Sequence, residues 1–385
     1  MSIQDKNVDI KRGLRGVYID TTESSFIDGI NGKLLYRGYN IHELAAHSTF
    51  EEVSYLLLYG KLPTQNEFDD FSNLLSTNRR LPDEVVQTIN LVKNGHPMDV
   101  LRTGVSALAA FSSDVTNNSV AATIQKGIKL TAQIPTIVAT HHRLRNNLSP
   151  VQPRDDLSLA GNFLYMLFDK EPTAEEAKVM DVDFVIHAEH GSNASAFAAR
   201  VTASALADLH SAVVAGIATL KGPSHGGAAE DVMKMAIEIQ SPDKAKEYVD
   251  KILSNNGKVP GFGHRVYKTE DPRAKYLKDK AKALVAKKGT PDWYQILEQL
   301  IMAMEGLRAK GVYANVDFFA GAIYHLLDIP EDLFIPIFAI GRLPGWILQA
   351  VEQYRDTLKN GTLIRPLLHY VGPMDLNYVP ISERS

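Results

Sequence analysis

The spacing of apolar residues constrains the fold more than any other feature of this 385-residue chain. Apolar side chains recur every three or four residues in segment after segment, whereas the alternation typical of half-buried strands is scarce. The helical pattern is clearest in Ser54–Tyr59, Val85–Val92, Val100–Phe111, Leu157–Phe168, Phe197–Leu209 and Trp346–Tyr354. Strand-like residues occur only near the N-terminus, at Val17–Ile19 and Lys33–Tyr36. We therefore predict an all-α fold with a minor N-terminal β feature.

Composition and charge exclude several classes of function. The chain is 45% hydrophobic and 22% charged, as in packed globular proteins. A formal net charge of -4 provides no general positive field for nucleic acid or an anionic membrane. The absence of cysteine excludes disulfides, thiolate metal sites and a cysteine nucleophile. Residues 1–14 lack the features of a signal or transit peptide, and no apolar run reaches the ~18 residues of a membrane span, so we expect a cytoplasmic protein.

A glycine-rich segment at 222–236 (GPSHGGAAEDVMKMA) places His225 at or just before the start of a helix. The helix dipole disfavours an imidazolium there, so a neutral His225 could donate a hydrogen bond to a substrate oxygen. An exposed histidine in a turn is the alternative. The segment also matches the G-x-S-x-G motif of α/β-hydrolases, with Ser224 as nucleophile. That motif requires a strand before the serine, whereas the preceding Leu206–Lys221 has a helical pattern.

A second glycine-rich segment, at 259–275, combines close backbone approach with positive charge. Gly261, Phe262 and Gly263 precede His264, and the basic residues Arg265, Lys268, Arg273 and Lys275 follow. Such a loop suits an anionic ligand that carries phosphates or carboxylates. A solvated basic turn is the alternative.

Other polar residues have both structural and functional interpretations. Asp317 opens a helix after a turn, as either an N-cap or a general base, and the local sequence does not decide between them. His187 and His190 share a helical face but lack further ligands for zinc, so we predict no metal site. Arg342 and Arg365 stand among apolar residues, and a buried arginine requires an anion, from the protein or from a ligand. His141 and His142 are expected at the surface of a long helix.

Taken in order, these segments resemble those of citrate synthases. The matching segments are LLYRGYNIHELA, HPMDVLRTGVSAL, AEHGSNAS, GPSHGGAAE, GFGHRVYKTEDPRAK, NVD, IGRLPGW and LIRPLLHYVGP. The resemblance covers essentially the whole chain. It implies a large helical domain, residues 1–221 and 323–385, and a smaller inserted helical domain, residues 222–322.

The resemblance implies that the protein condenses acetyl-CoA with oxaloacetate and hydrolyses the citryl thioester, a step of the tricarboxylic acid cycle that needs no cofactor. By position, His225 would hydrogen-bond the thioester carbonyl, Asp317 would remove a methyl proton and His264 would polarise the ketone. His190, Arg273, Arg342 and Arg365 would hold oxaloacetate. The residues that fall in the CoA-binding positions are Gly261, Phe262, Gly263, Arg265, Lys268 and Asn315.

The resemblance also implies a homodimer in which Arg365 completes the site of the partner subunit. Several positions depart from the family pattern, namely Ser224, Gly191-Ser192, Gly341 to Pro344, and Gln349, which replaces a frequent histidine. These departures leave 2-methylcitrate synthase, which uses propionyl-CoA, as an alternative. A pocket discriminates one methylene group by only ~1–3 kcal/mol. A catalytically silent binding protein is a further alternative, although His225, His264 and Asp317 are intact.

Overall fold

The computed structural model describes residues 8–384. Its only sheet among those residues is antiparallel, with strands β1 (Ser25–Asp28), β2 (Lys33–Tyr36) and β3 (Tyr39–Asn40) in that order. The prediction of a strand at Lys33–Tyr36 is confirmed, but that at Val17–Ile19 is wrong. Those three residues are exposed, so their side chains have no buried face on which to pack. The N-terminal targeting prediction falls partly on residues 1–7, which lie outside the described residues.

Sixteen α-helices make up most of residues 8–384, which confirms the all-α prediction. The first eight are α1 (Ile41–His47), α2 (Phe50–Tyr59), α3 (Gln65–Thr77), α4 (Asp83–Leu91), α5 (Pro97–Leu108), α6 (Val120–Arg145), α7 (Leu159–Phe168) and α8 (Ala174–His187). The others are α9 (Ala194–Ser204), α10 (Leu209–Leu220), α11 (Ala228–Ile239), α12 (Ala245–Ser254), α13 (Ala274–Lys288), α14 (Asp292–Ala303), α15 (Val316–Leu326) and α16 (Phe334–Asn360).

Two helical predictions need correction. The continuous helix expected over Phe197–Leu209 is wrong, because the chain breaks between α9 and α10. Leu206 adopts a positive φ of 57° there, and the Asp208 side chain accepts a hydrogen bond from the N–H of Ser211 to cap α10. The surface location of His141 is also wrong. It is 1% exposed, with Nε2 2.9 Å from the carbonyl oxygen of Lys93.

Helix α16 is the central core helix and positions much of the site. The segment Glu331–Asn360 is long and apolar enough to cross a membrane, but 94% of its most apolar window is buried inside the structure. Neighbouring helices approach it closely through glycines: a Cβ on Gly127 of α6 would lie 2.5 Å from Ile347, and one on Gly216 of α10 would lie 3.0 Å from the Trp346 ring. This close packing fixes Arg342, one turn before Trp346, inside the protein.

The predicted inserted domain, residues 222–322, holds α11 to α14 and the first part of α15. Its first boundary follows α10 directly. Its second boundary falls inside α15, whereas domain boundaries usually lie in exposed linkers. The division into two domains stays a prediction.

Candidate active site

His225 lies in the turn between α10 and α11, three residues before Ala228. Its Nε2 accepts a hydrogen bond from the backbone N–H of Ser195 (3.3 Å), and the Ser195 hydroxyl lies 2.9 Å from the same nitrogen. Because Nε2 is an acceptor, the ring proton resides on Nδ1, where it can be donated to a ligand. Burial, aided by the charge of Arg342, lowers the pKa of His225 to about 4. The imidazole is therefore neutral at pH 7.

His225 precedes α11, as expected from the sequence, and its ring also contacts the N-terminus of α9. Ser195 is the second residue of α9, and Asn193 caps the helix by accepting from the N–H of Ala196 at 3.1 Å. The Ser195 hydroxyl lies 2.8 Å from Asn193 Oδ1 and accepts a hydrogen bond from Trp346 Nε1 (3.1 Å). Sequence analysis missed Ser195, since only the fold brings α9 to the turn that carries His225.

Neither serine near His225 has the setting of a hydrolase nucleophile. Ser195 is fully buried, and its hydroxyl is engaged as described. Ser224 is exposed, and the element before it is the helix α10 instead of the strand that the nucleophile elbow requires. The G-x-S-x-G match at 222–226 therefore lacks its structural context.

His264 follows a loop that is fastened to the start of α15. The backbone N–H groups of Val266 and Tyr267 both donate to its Nδ1, at 3.0 and 3.1 Å. Two donors on Nδ1 leave the proton on Nε2, which is then free to donate to a ligand. Burial, followed by the charge of Arg273, lowers the pKa of His264 to about 4. His264 is thus a second neutral donor.

The Gly261–Gly263 loop forms close backbone contacts. Both glycines have positive φ, 75° and 80°, and a Cβ on Gly261 would lie 2.5 Å from Val232. The N–H of Gly263 donates to Tyr313 O (2.8 Å), and Asn315 Nδ2 donates to Gly263 O (3.0 Å). These bonds hold the loop of His264 beside the helix of Asp317.

Asp317 is not the N-cap of α15. Asn315 is the cap, since its Oδ1 accepts from the N–H groups of Asp317 (3.1 Å) and Phe318 (3.3 Å). No donor within residues 8–384 hydrogen-bonds the Asp317 carboxylate. Burial raises the pKa of Asp317 above its usual range, although the charges of Arg273 and Arg342 oppose the rise. An unpaired carboxylate of raised pKa is suited to accept a proton.

Arg273 and Arg342 are both buried, at 3% and 2% exposure, but differ in their partners. Arg273 donates to Asp271 through Nε (2.9 Å) and through Nη2 (2.8 Å). Burial disfavours its charge, but the Asp271 carboxylate outweighs that effect and raises the pKa of Arg273. Sequence analysis missed Asp271 as this partner.

Arg342 has no carboxylate within salt-bridge distance among residues 8–384. Its Nε donates to His187 O, and its guanidinium lies 4.8 Å from the Phe338 ring centroid. Burial lowers the pKa of Arg342 to about 10, so the group remains charged at pH 7. Its two terminal nitrogens have no hydrogen-bond partner among the described residues. A buried guanidinium of this kind can accept an anionic ligand in fork geometry.

His190 is 8% exposed and lies beside His264, with ring centroids 5.4 Å apart. Its Nε2 is 3.1 Å from the hydroxyl of Tyr267, and burial holds the pKa of His190 well below the usual value. His187 is instead oriented by Asp183, whose carbonyl oxygen lies 2.9 Å from its Nδ1. Tyr267 is a contact that sequence analysis did not single out. The two histidines thus have separate partners, which is unlike a shared metal site.

Glu189 is a buried carboxylate directly behind the site. Its Oε1 accepts hydrogen bonds from Gly191 N–H (2.7 Å), Gln349 Nε2 (3.0 Å) and the hydroxyls of Ser24 and Ser25. Burial raises the pKa of Glu189 to about 7, opposed chiefly by the charge of Arg342. Gln349, a departure from the family pattern, therefore serves as a donor to this carboxylate.

Three predicted site residues lie apart from this cluster. Arg265 and Lys268 are exposed on the loop after His264. Arg365 is also exposed, so the buried apolar setting expected for it is wrong within a single chain. It follows α16 in an extended tail that carries Leu367 and Leu368 at 85% and 94% exposure.

The fold brings six predicted residues into one group, namely His190, His225, His264, Arg273, Asp317 and Arg342. Two neutral imidazoles each present one N–H, and two guanidiniums supply positive charge around them. The carboxylate of Asp317 accepts no hydrogen bond from any of the described residues. This set can stabilise negative charge on carbonyl oxygens while a carboxylate removes a proton from a neighbouring carbon.

A family model described as "Citrate synthase, C-terminal domain" matches residues 13–367. The citrate synthase of Synechocystis sp. is 45% identical over 97% of this chain and 94% of that protein. The 2-methylcitrate synthase 2 of Corynebacterium glutamicum is 38% identical over 98% of each protein.

Solved structures agree with these sequence matches. The crystal structure of citrate synthase from Pyrobaculum aerophilum superimposes with a TM-score of 0.92 at 41% identity, covering 97% of this chain and 95% of that one. The citrate synthase of Thermoplasma acidophilum, in ternary complex with carboxymethyl coenzyme A and oxaloacetate, gives a TM-score of 0.92 at 32% identity. That comparison covers 98% of this chain and 100% of the other.

Proposed function

The chain belongs to the citrate synthase family, and we propose that the clustered residues condense acetyl-CoA with oxaloacetate and hydrolyse the resulting citryl-CoA to citrate and CoA. The observation that carries this assignment of roles is the combination of Asp317, a half-buried carboxylate with no hydrogen-bond donor among residues 8–384, with two neutral imidazoles whose remaining N–H groups have no acceptor among those residues. The family is one of acyltransferases, and no step below requires a metal or a cofactor.

The first step is enolisation of the thioester. The Asp317 carboxylate takes a proton from the acetyl methyl group, and the electron pair moves toward the thioester oxygen. That oxygen receives a hydrogen bond from Nδ1–H of His225, whose Nε2 is held by Ser195. A thioester methyl is a weak carbon acid, so base and donor must act together.

The second step is condensation. The enol carbon attacks the ketone carbon of oxaloacetate, and the ketone oxygen gains negative charge that Nε2–H of His264 neutralises. Water then hydrolyses the citryl thioester and releases CoA. Neutral imidazoles are suited to this chemistry because they donate a proton without requiring a strong counter-charge.

Oxaloacetate carries two carboxylates, and Arg273 and Arg342 supply two buried guanidiniums beside His190 and His264. The Asp271 carboxylate orients Arg273, whereas Arg342 has both terminal nitrogens available. Bidentate pairing would fix the charge and orientation of the substrate.

For CoA we propose the region of Gly261, Phe262 and Gly263 together with Asn315, Arg265 and Lys268. Phe262 lines a cleft with Val312 and Tyr313. The charges of Lys278 and Arg308 in that cleft are balanced by Glu270 and Glu305, and Arg308 is ion-paired to Glu305 at 3.1 Å. The side chain of Asn315 is already bonded to Gly263 and to α15, so its contribution to CoA binding would be to hold the loop.

We also propose a two-fold homodimer in which Arg365 enters the partner's oxaloacetate site. The extended tail after Gly361 exposes several large apolar side chains, more than an isolated chain normally presents. Its exposed Arg365 lies outside the site of its own chain. Refolding a mixture of inactive His264→Ala and Arg365→Ala proteins should restore roughly a quarter of wild-type activity, since half the dimers are mixed and each has one intact site. Mixed dimers without activity would place Arg365 in the site of its own chain.

The activity is tested by release of free CoA thiol from acetyl-CoA, which should depend strictly on oxaloacetate and yield citrate. EDTA should not change the rate, and Ser224→Ala should keep it. Thiol release that proceeds without oxaloacetate and disappears in Ser224→Ala would contradict the proposal in favour of a hydrolase. A kcat/KM higher for propionyl-CoA than for acetyl-CoA would indicate 2-methylcitrate synthase, an alternative that the 38% identity to such an enzyme keeps open.

A further inference from the structure

Tyr267 contacts both histidines of the oxaloacetate site, although the reaction steps above require no group from it. Its hydroxyl lies 3.1 Å from His190 Nε2, and its ring centroid is 4.7 Å from that of His264. Its backbone N–H is also one of the two donors to His264 Nδ1, at 3.1 Å. Tyr267 is 1% exposed, so these contacts are made in a buried environment.

The segment that carries Tyr267 rests on the turn between β1 and β2, residues 29–32, which we name the hairpin seat. The N–H of Lys268 donates to the carbonyl oxygen of Gly29 at 2.7 Å. A Cβ on Gly29 would lie only 2.3 Å from the carbonyl oxygen of Val266, and one on Gly32 would lie 2.9 Å from Thr269. The backbones of the two segments are therefore in direct contact.

The requirement for glycine at position 29 comes from this contact and not from backbone conformation. The φ angle of Gly29 is not positive, whereas that of Gly32 is 63°. Alanine at position 29 is therefore conformationally acceptable, and its methyl group would act by displacing the segment at Val266. Such a displacement would move the two amides that hold His264 Nδ1 and the hydroxyl that meets His190.

On the basis of the proposed function, we propose that Tyr267 is a positioning residue that aligns His190 and His264 for oxaloacetate. The hairpin seat would fix the position of Tyr267. The seat belongs to the N-terminal part of the chain and the segment to the predicted inserted domain. The contact would therefore link the two parts of the chain that supply oxaloacetate ligands.

Two variants test this proposal by separate routes. Tyr267→Phe removes the hydroxyl but leaves the ring and the backbone, so the dissociation constant of oxaloacetate should rise roughly 2- to 10-fold, the range expected for one lost hydrogen bond. Gly29→Ala should raise it at least as much and should also lower kcat, because His264 moves with the segment. The KM for acetyl-CoA should change less than twofold in Tyr267→Phe.

Gly306→Ala is the matched control for Gly29→Ala. A Cβ on Gly306 would meet no atom within 4 Å, and its φ is not positive. Binding is measured by calorimetry, so the result does not depend on turnover. A wild-type protein that neither binds oxaloacetate nor makes citrate would overturn the proposed function itself.

The proposal is overturned if both variants bind oxaloacetate within twofold of the wild type and of Gly306→Ala. A lowered melting temperature with unchanged binding would likewise show that the contact is only structural. If Gly29→Ala fails to fold, Tyr267→Phe decides alone. In the Gly29→Ala/Tyr267→Phe double variant, the rise in the dissociation constant of oxaloacetate should be smaller than the product of the two single rises. A rise equal to that product would refute coupling through one segment.

Discussion

Replacing Asp317 by asparagine separates a general base from a structural carboxylate. A positioned general base contributes roughly 10²- to 10⁴-fold, so kcat should fall by about that factor, or about 3–5 kcal/mol in the barrier. Binding of oxaloacetate should change little, because Asp317 is not assigned to its carboxylates.

Asp317→Asn should lower kcat, but it should not lower the stability of the fold. Burial raises the pKa of Asp317, so the folded state binds its proton more tightly than the unfolded state does. Stability is therefore lost as the pH rises above the pKa of the unfolded state, and the charged carboxylate destabilises the fold at pH 7. Asparagine has no such charge, so Asp317→Asn should unfold at the same or a higher temperature than the wild type.

Asn315→Ala is the contrasting variant. It removes two hydrogen bonds that cap α15 and one to Gly263 O. The loss of a cap costs ~0.5–2 kcal/mol and a hydrogen bond ~0.5–1.5 kcal/mol, so a destabilisation of about 1–3 kcal/mol is expected. Both variants are compared by initial rate and by unfolding at pH 7. If Asp317→Asn keeps kcat within tenfold and loses stability as Asn315→Ala does, the assignment of Asp317 as base is refuted.

Two further changes concern the charged groups around oxaloacetate. Arg342→Ala should raise the KM for oxaloacetate at least tenfold and change the KM for acetyl-CoA little. The substitution removes a buried guanidinium that has no carboxylate partner among residues 8–384. Equal changes in the two KM values would contradict its role. Glu189→Gln should gain stability relative to the wild type as the pH rises from ~4.5 to ~7, by up to about 3 kcal/mol. The reason is that the pKa of Glu189 is about 7 in the folded state, so the wild type alone loses stability over that interval. A difference in stability that stays constant with pH would show that Glu189 does not titrate in this range.

The helical fold could be predicted because the apolar spacing is local information. The starts of helices were harder to predict. The cap at Asp208 lies inside a segment expected to be a continuous helix, and Asn315, not Asp317, caps α15. The failure at Val17–Ile19 arose because β-branched residues favour a strand only where a neighbouring strand and a buried face exist. Neither condition can be read from three residues.

The candidate site was predictable where family segments name the residue, as for His264 and Asp317. Its supporting groups were not, because they come from distant parts of the chain. Ser195 reaches His225 only through the packing of α9 against the turn after α10. The choice between N-cap and base at Asp317 likewise required the observation that Asn315 already caps the helix.

The joint action of His225 and Asp317 is tested most directly by comparing kcat/KM for His225→Ala, Asp317→Asn and the double variant. If base and donor act on one proton transfer, each single change should cost roughly 10²-fold or more, and the double variant should cost little more than the worse single one. All three proteins should still bind oxaloacetate and unfold cooperatively. Single losses below tenfold, or losses that multiply fully in the double variant, would contradict the claim that His225 and Asp317 work together in enolising the thioester.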